Sequence, residues 1–237
     1  MIFTSKNAFT LAEVLITLAI IGIVASMTIP SVLNSTNNSE TVAKVRKYQS
    51  VISQALILAM ADKGITSLES VYSSNDEFWT DLKNKLNVMK DCGFSAGEGC
   101  FPKGVVYKSL NGSDRSVFDD STTEQKAILA DGTMIKTLTY NTNCDDDASI
   151  SHSGDLSNAC VSLGIDINGN KGPNQVGRDY FSFRILKSGK VLPVGTPNDV
   201  INGCDLSSAD VSPGSNGAPG HGSGCTAKIL TEGDVNY

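Results

Sequence analysis

Between Phe9 and Ile29 the chain carries 15 apolar residues out of 21, and no charge follows Glu13 until Glu40. A helix of about 20 residues, rising about 1.5 Å per residue, spans the ~30 Å hydrocarbon core of a bilayer. The run is therefore long enough to cross a membrane, and it is long for the apolar core of a secretory signal. Only Lys6 precedes it, no small-x-small cleavage pattern follows, and Pro30 closes it. Its odd member is Glu13. A carboxylate deep in a bilayer costs on the order of 2.5–3.5 kcal/mol and normally has a partner, whereas near the interface the cost is small. A cut just before Phe9 supplies such a partner: the new amine stands one helical turn from Glu13, in the same chain or in a neighbouring one.

Ala8-Phe9-Thr10-Leu11-Ala12-Glu13, followed by the apolar run and Pro30, resembles the prepilin cleavage and methylation motif of type IV pilins and type II secretion pseudopilins. The resemblance implies a cut by prepilin peptidase between Ala8 and Phe9 and N-methylation of Phe9. It also implies that Glu13 neutralises a neighbour's N-terminal amine, and that Pro30 is the family's helix-kinking proline. Ala8 stands where the family usually has glycine, and a small residue still fits a tight peptidase subsite. On this reading residues 1–8 are a leader. Residues 9–63 form a long helix, with its transmembrane part at about 9–29 and a kink at Pro30, and residues 64–237 form a globular head.

The resemblance further implies a single-pass inner-membrane protein with its head in the periplasm or outside the cell, taken into a filament after processing. Its partners would be copies of itself or other pilin-like subunits, prepilin peptidase and an inner-membrane assembly platform. Small residues at Gly22 and Ser26, with Ala19 and Ala25, offer the small-x-x-x-small spacing that lets helices approach closely in lipid. Lys6 opposes Lys44, Arg46 and Lys47 in a count of flanking positive charge, so orientation rests on the resemblance and on the cysteines. The alternative is an unprocessed, membrane-anchored binding module that retains residues 1–8.

After Pro30, residues 31–38 are polar and form a soft spot, because an interior proline removes a backbone hydrogen bond. Apolar spacing of three and four then resumes at Val42, Val45, Tyr48, Ile52, Ala55, Leu56 and Ala59, the pattern of one helix face. Val51, Ile57, Leu58 and Met60 widen that face, which predicts burial on several sides. Lys63-Gly64 is a suitable stop.

Six cysteines, Cys92, Cys100, Cys144, Cys160, Cys204 and Cys225, all lie in the C-terminal two-thirds, with no C-x-x-C pair. An even set of loop cysteines behind a membrane-targeting start points to disulfides in an oxidising compartment. Nearest-neighbour pairing, which we prefer, encloses 7, 15 and 20 residues, each a Gly/Ser/Asp-rich stretch. The net charge of −6 argues against a general nucleic-acid binder. His152 and His221, the two histidines, lie in Gly/Ser-rich surroundings and rule out a multi-histidine metal site within one chain.

In the head, residues 74–91 read as a helix capped by Ser74 or Asn75, with Phe78, Leu82, Leu86 and Met89 as its stripe and Trp79 as either a core residue or a partner contact. Strands are predicted at 105–110, 127–130, 133–140, 160–167, 180–186 and 190–194. Asn111-Gly112, Asp131-Gly132 and Ser188-Gly189 are the turns. The fold class is α+β: a pilin-like long helix on an antiparallel sheet with disulfide-tied loops. Residues 212–225 hold five glycines and two prolines, and form either a partner-binding edge or a solvated loop. Asp166, Asn168 and Asn170, with Asp179 further on, place oxygens at alternate residues as calcium loops do, although the twelfth position is Gly177. An Asx-turn connection is the competing account. Asp145-Asp146-Asp147 reads as a solvated acidic loop. No nucleophile elbow, zinc-helix motif, P-loop or dinucleotide fingerprint is present, so the chain reads as a structural subunit with no required cofactor rather than an enzyme.

Overall fold

The computed structural model describes residues 10–145, 156–196, 204 and 221–237. Two compact units emerge, Met1–Glu40 and Thr41–Tyr237. Helix α1 (Leu11–Lys63) contains Pro30 within it, and the polar residues 31–38 that follow are helical too.

In the second unit a six-stranded sheet is built from β1 (Val88–Gly93), β4 (Gln125–Leu129), β5 (Met134–Tyr140), β6 (Ala159–Asp166), β7 (Tyr180–Leu186) and β8 (Val191–Pro193). They lie side by side in the order β1-β4-β5-β6-β7-β8, each pair antiparallel. Strands β2 (Val106–Lys108) and β3 (Asp114–Val117) form a separate hairpin. Asp131-Gly132 turns β4 into β5, and Gly132 takes φ +87°, the left-handed conformation that glycine enters without a steric penalty.

Because side chains alternate along a strand, the register sorts the sheet into two faces. Ile135, Ile165 and Phe181 are opposite one another across β5, β6 and β7, and Thr137, Leu163 and Phe183 form the next row. This face packs with Val42, Val45, Tyr48, Ile52, Leu56 and Met60 of α1 and with Phe78, Trp79 and Leu82. The expected face of α1 is buried throughout, from Val42 to Ala59. Ile57 and Leu58, however, are 62% and 54% exposed. At 3.6 residues per turn Leu58 lies on the opposite side of the helix from Leu56 and Met60, and Ile57 about 100° round from Leu56, so the predicted burial on several sides is corrected to one buried face.

Helix α2 (Asn75–Lys83) is also shorter than the 74–91 span anticipated. Ser74 caps it, its hydroxyl accepting from the Glu77 N–H at 3.2 Å. The helix stops at Asn84, and Val88–Gly93 becomes the edge strand β1, which leaves Met89 64% exposed rather than in a helical stripe. Trp79 is fully buried, as a core residue. Helix α3 (Cys225–Glu232) near the C-terminus has no counterpart in the sequence reading.

Three disulfides tie the second unit: Cys92–Cys100, Cys144–Cys160 and Cys204–Cys225. The first holds β1 to the loop after it. The second joins the residues after β5 to the start of β6, and the third anchors the start of α3.

Candidate functional site

Among the described residues of the first unit, α1 opens with a reciprocal cap. The Thr10 N–H and hydroxyl both donate to Glu13 Oε2, at 2.8 and 2.7 Å, and the Glu13 N–H donates to Thr10 Oγ1 at 3.3 Å. This is a capping box, the S/T-x-x-E pattern in which two otherwise orphaned helix N–H groups are satisfied at once. Thr10-Leu11-Ala12-Glu13 carries that signature openly, inside the stretch that resembles the processing motif.

Behind the cap, Leu11–Pro30 is long and apolar enough to cross a membrane, and none of it is buried. Leu11, Leu15, Ile16, Leu18, Ile21, Ile23 and Met27 are all more than half exposed, on every side of the helix. An apolar surface of this size calls for lipid or other helices as its surroundings. At Gly22 an added Cβ would meet no heavy atom within 4 Å, so this part of the helix surface stands open to a close neighbour. Ala8 and Phe9, the expected processing site, lie outside the described residues.

The second unit concentrates charge on the sheet face opposite α1. Lys126, Lys136 and Arg184 sit there at 0%, 2% and 6% exposure. Lys136, Gly164 and Ser182 are in register across β5, β6 and β7, and Arg184 pairs with Ser162. Gly164 leaves room for Tyr180, whose hydroxyl lies 1.7 Å from where a Cβ would stand. A second layer, with Phe101, Tyr107 and Phe118, packs with Tyr180 and Met134.

Within this layer Lys136 Nζ makes a 2.8 Å ion pair with Glu124 and lies 3.7 Å from the Phe118 ring centroid. Burial draws the Lys136 pKa down to about 8, with Arg115 and Lys126 adding to the shift and Glu124 opposing it. Lys126 Nζ donates to the Asp119 carbonyl at 2.8 Å and to that of Ser121. The Arg115 guanidinium on β3 donates to the His221 ring, and Ser223 Oγ lies 2.7 Å from His221 Nδ1. Burial first and Arg115 second push the His221 pKa down to about 3, so this imidazole is a weak base with a cation where a catalytic triad has an acid.

The region read either as a calcium loop or as an Asx-turn connection folds as two carboxylate-centred turns. Asp166 Oδ1 accepts from the N–H groups of Asn168 and Gly169 at 3.0 and 2.8 Å, and its other oxygen accepts from the Tyr107 hydroxyl. Asp179 accepts from the Asn174 and Gln175 N–H groups, both at 2.6 Å, and from Asn168 Nδ2 at 3.4 Å. Asp166, Asn168 and Asp179 are thus drawn together, while Asn170 is exposed.

Two buried amide oxygens, Asn168 Oδ1 and Asn174 Oδ1, lack a hydrogen-bond partner, and a cation needs groups of that kind. Calcium, however, takes about 6–8 oxygens, and both carboxylates here already serve as acceptors for the turns. The donor set fits Asx-turn closure better than a calcium cage. Of the other residues singled out, His152, Asp146, Asp147 and most of 212–225 lie outside the described residues.

Residues 4–29 match the prokaryotic N-terminal methylation motif, the signature of type IV pilins and pseudopilins. The match contains Phe9, Glu13 and Gly22 and indicates a prepilin-like processed subunit; assembly with other pilin subunits and processing by prepilin peptidase are what such a motif implies. Such a motif points to a structural protein rather than an enzyme. No curated protein and no solved structure matches the chain.

Proposed function

We propose that this chain is a pilin-like structural subunit, cut by prepilin peptidase between Ala8 and Phe9, N-methylated on Phe9, and built into a type II secretion pseudopilus or a type IV pilus-like filament. The observation that carries the proposal is the methylation motif over residues 4–29, lying on an apolar helix that buries none of its Leu11–Pro30 surface within the chain. Before assembly the helix anchors the subunit once in the inner membrane, with the head in the periplasm or outside. Three disulfides support an oxidising location for the head.

In the filament the apolar helices bundle, and Glu13 accepts the methylated amine of a neighbour's Phe9. The pair gains most where water is excluded, since breaking a buried ion pair costs about 3–5 kcal/mol. Gly22 allows a close helix approach and Pro30 a local adjustment of the helix.

Intact-mass and N-terminal peptide mass spectrometry on protein from its native membrane tests this directly. Loss of Met1–Ala8 with one added methyl group on Phe9 is the expected result. An intact Met1 would replace the proposal with the anchored binding module.

A further inference from the structure

A cavity of about 120 Å³ opens between β3 and the far face of the sheet. Its lining includes Arg115, Lys136 and Arg184, with Ser116, Ser182 and Ser223 among them, and Glu124 is the acid on its wall. Glu124 is taken up by its 2.8 Å pair with Lys136. Arg115 is different. Among the described residues it has no carboxylate partner, and its hydrogen bonds go to the His221 ring, which is neutral or cationic and so cannot act as a counter-ion.

A partly buried guanidinium without an anion is expensive, because its desolvation is not repaid. The space beside it exceeds what one water needs. The hydroxyls around it donate hydrogen bonds, and a guanidinium fork matches the two oxygens of a carboxylate or phosphate edge. Tyr180, seated over Gly164, forms part of the wall, and the exposed Ser116 lies at the rim.

We propose that this cavity is a binding site for a small oxyanion, a carboxylate or phosphate group held by Arg115 and Lys136 together with the hydroxyls of Ser116, Ser182 and Ser223. The site lies wholly within the second unit and does not depend on the N-terminal motif. Its failure would leave the processing proposal standing, and the converse also holds.

The test is calorimetric titration of the full-length protein in detergent with sodium phosphate, sodium sulfate and sodium acetate, at fixed ionic strength with chloride as the reference. Saturable binding of at least one of these anions, weakened about tenfold or more in Arg115→Gln and partly recovered in Arg115→Lys, is the expected result. Binding of phosphate and sulfate without acetate would assign the site to tetrahedral oxyanions, whereas acetate binding would assign it to carboxylates. The wild-type titration stands by itself should a variant fold poorly. Absence of saturable binding to all three anions overturns the proposal, as does equal binding by Arg115→Gln.

Discussion

Glu13 Oε2 lies 2.8 Å from the Thr10 backbone nitrogen and 2.7 Å from the Thr10 hydroxyl, so the carboxylate proposed to receive a neighbour's amine also caps its own helix. The two roles separate by substitution. Glu13→Ala removes both and is expected to lower filament incorporation about tenfold or more, the consequence of losing a buried charge pair. Thr10→Val removes the capping hydroxyl at a cost of about 0.5–2 kcal/mol to the helix end but leaves the carboxylate, and incorporation should stay close to wild type. Immunoblots of sheared filaments against the membrane fraction give the comparison. Equal loss in both variants would make Glu13 a cap and nothing more.

The three disulfides close loops of different size, with sequence separations of 8, 16 and 21. Chain entropy makes a closed loop of about 15 residues worth roughly 3 kcal/mol, rising slowly with length. Replacing Cys144 and Cys160 together by serine should therefore lower unfolding free energy by about 3 kcal/mol. The Cys92–Cys100 pair should cost about 1 kcal/mol less than the Cys204–Cys225 pair. Urea unfolding of the full chain in detergent measures the order, and a reversed order would mean that native contacts around the bridges outweigh loop entropy.

What could be read from the sequence was local. The processing motif, the apolar run and the Asp131-Gly132 turn are each set by residues adjacent in the chain, and β7 is found at 180–186, the span predicted for it. Periodicity misled where two patterns overlap. Leu82, Leu86 and Met89 keep helical spacing, yet the chain leaves the helix at Asn84 and starts a strand at Val88. The oxyanion site could not be read at all. Lys136, Ser182 and Arg184 alternate with apolar neighbours and look like an ordinary solvated face. Their burial comes from Phe118, from the β2–β3 hairpin and from residues around His221, contacts that join distant parts of the chain.

Glu124 and Lys136 form an ion pair with side chains 15% and 3% exposed. Removing one partner strands a charge, so Glu124→Gln is expected to destabilise the head by about 3–5 kcal/mol. The double substitution Glu124→Gln with Lys136→Met removes both charges and should cost less than the single one. Thermal unfolding of the single and double variants completes the cycle. Strict additivity would show that the pair contributes no coupling.

Asp166 and Asp179 are occupied as turn acceptors, with backbone N–H donors at 2.6–3.0 Å. Millimolar calcium is accordingly expected to leave the unfolding temperature of the full chain unchanged to within about 1 °C, as magnesium should. A rise specific to calcium and lost in Asp179→Asn would instead show that Asn168 Oδ1 and Asn174 Oδ1 complete a metal site.

The pH profile of stability is set by four groups whose contributions differ in sign. Burial opposes ionisation of Asp131, but hydrogen bonds from Lys47 and Tyr48 hold its pKa down to about 2, so its contribution is present above the ordinary carboxylate value and fades as the pH falls toward 2. Asp166 behaves oppositely. Burial raises its pKa to about 7, with the nearby Asp179 charge adding to the shift and the Tyr107 hydrogen bond opposing it. Between about pH 4 and 7 the unfolded chain releases this proton while the folded chain keeps it, so stability falls as the pH rises. Asp166 alone contributes a fall on the order of 2–4 kcal/mol across that window. Lys136, with its pKa drawn down to about 8, then binds fewer protons when folded than when unfolded, and stability recovers from pH 8 toward 10. His221 opposes the Asp166 fall: its pKa is pushed down to about 3, so between about pH 3 and 6.5 the folded chain binds fewer protons than the unfolded one and stability rises with pH. Urea unfolding from pH 3 to 10 should therefore give a shallow profile between 4 and 6.5 and a rise from pH 8 toward 10. Asp166→Asn should turn the profile between 4 and 7 into a clear rise and leave the rise above pH 8 in place. An Asp166→Asn profile that parallels the wild type between pH 4 and 7 would show that Asp166 ionises normally in the folded protein.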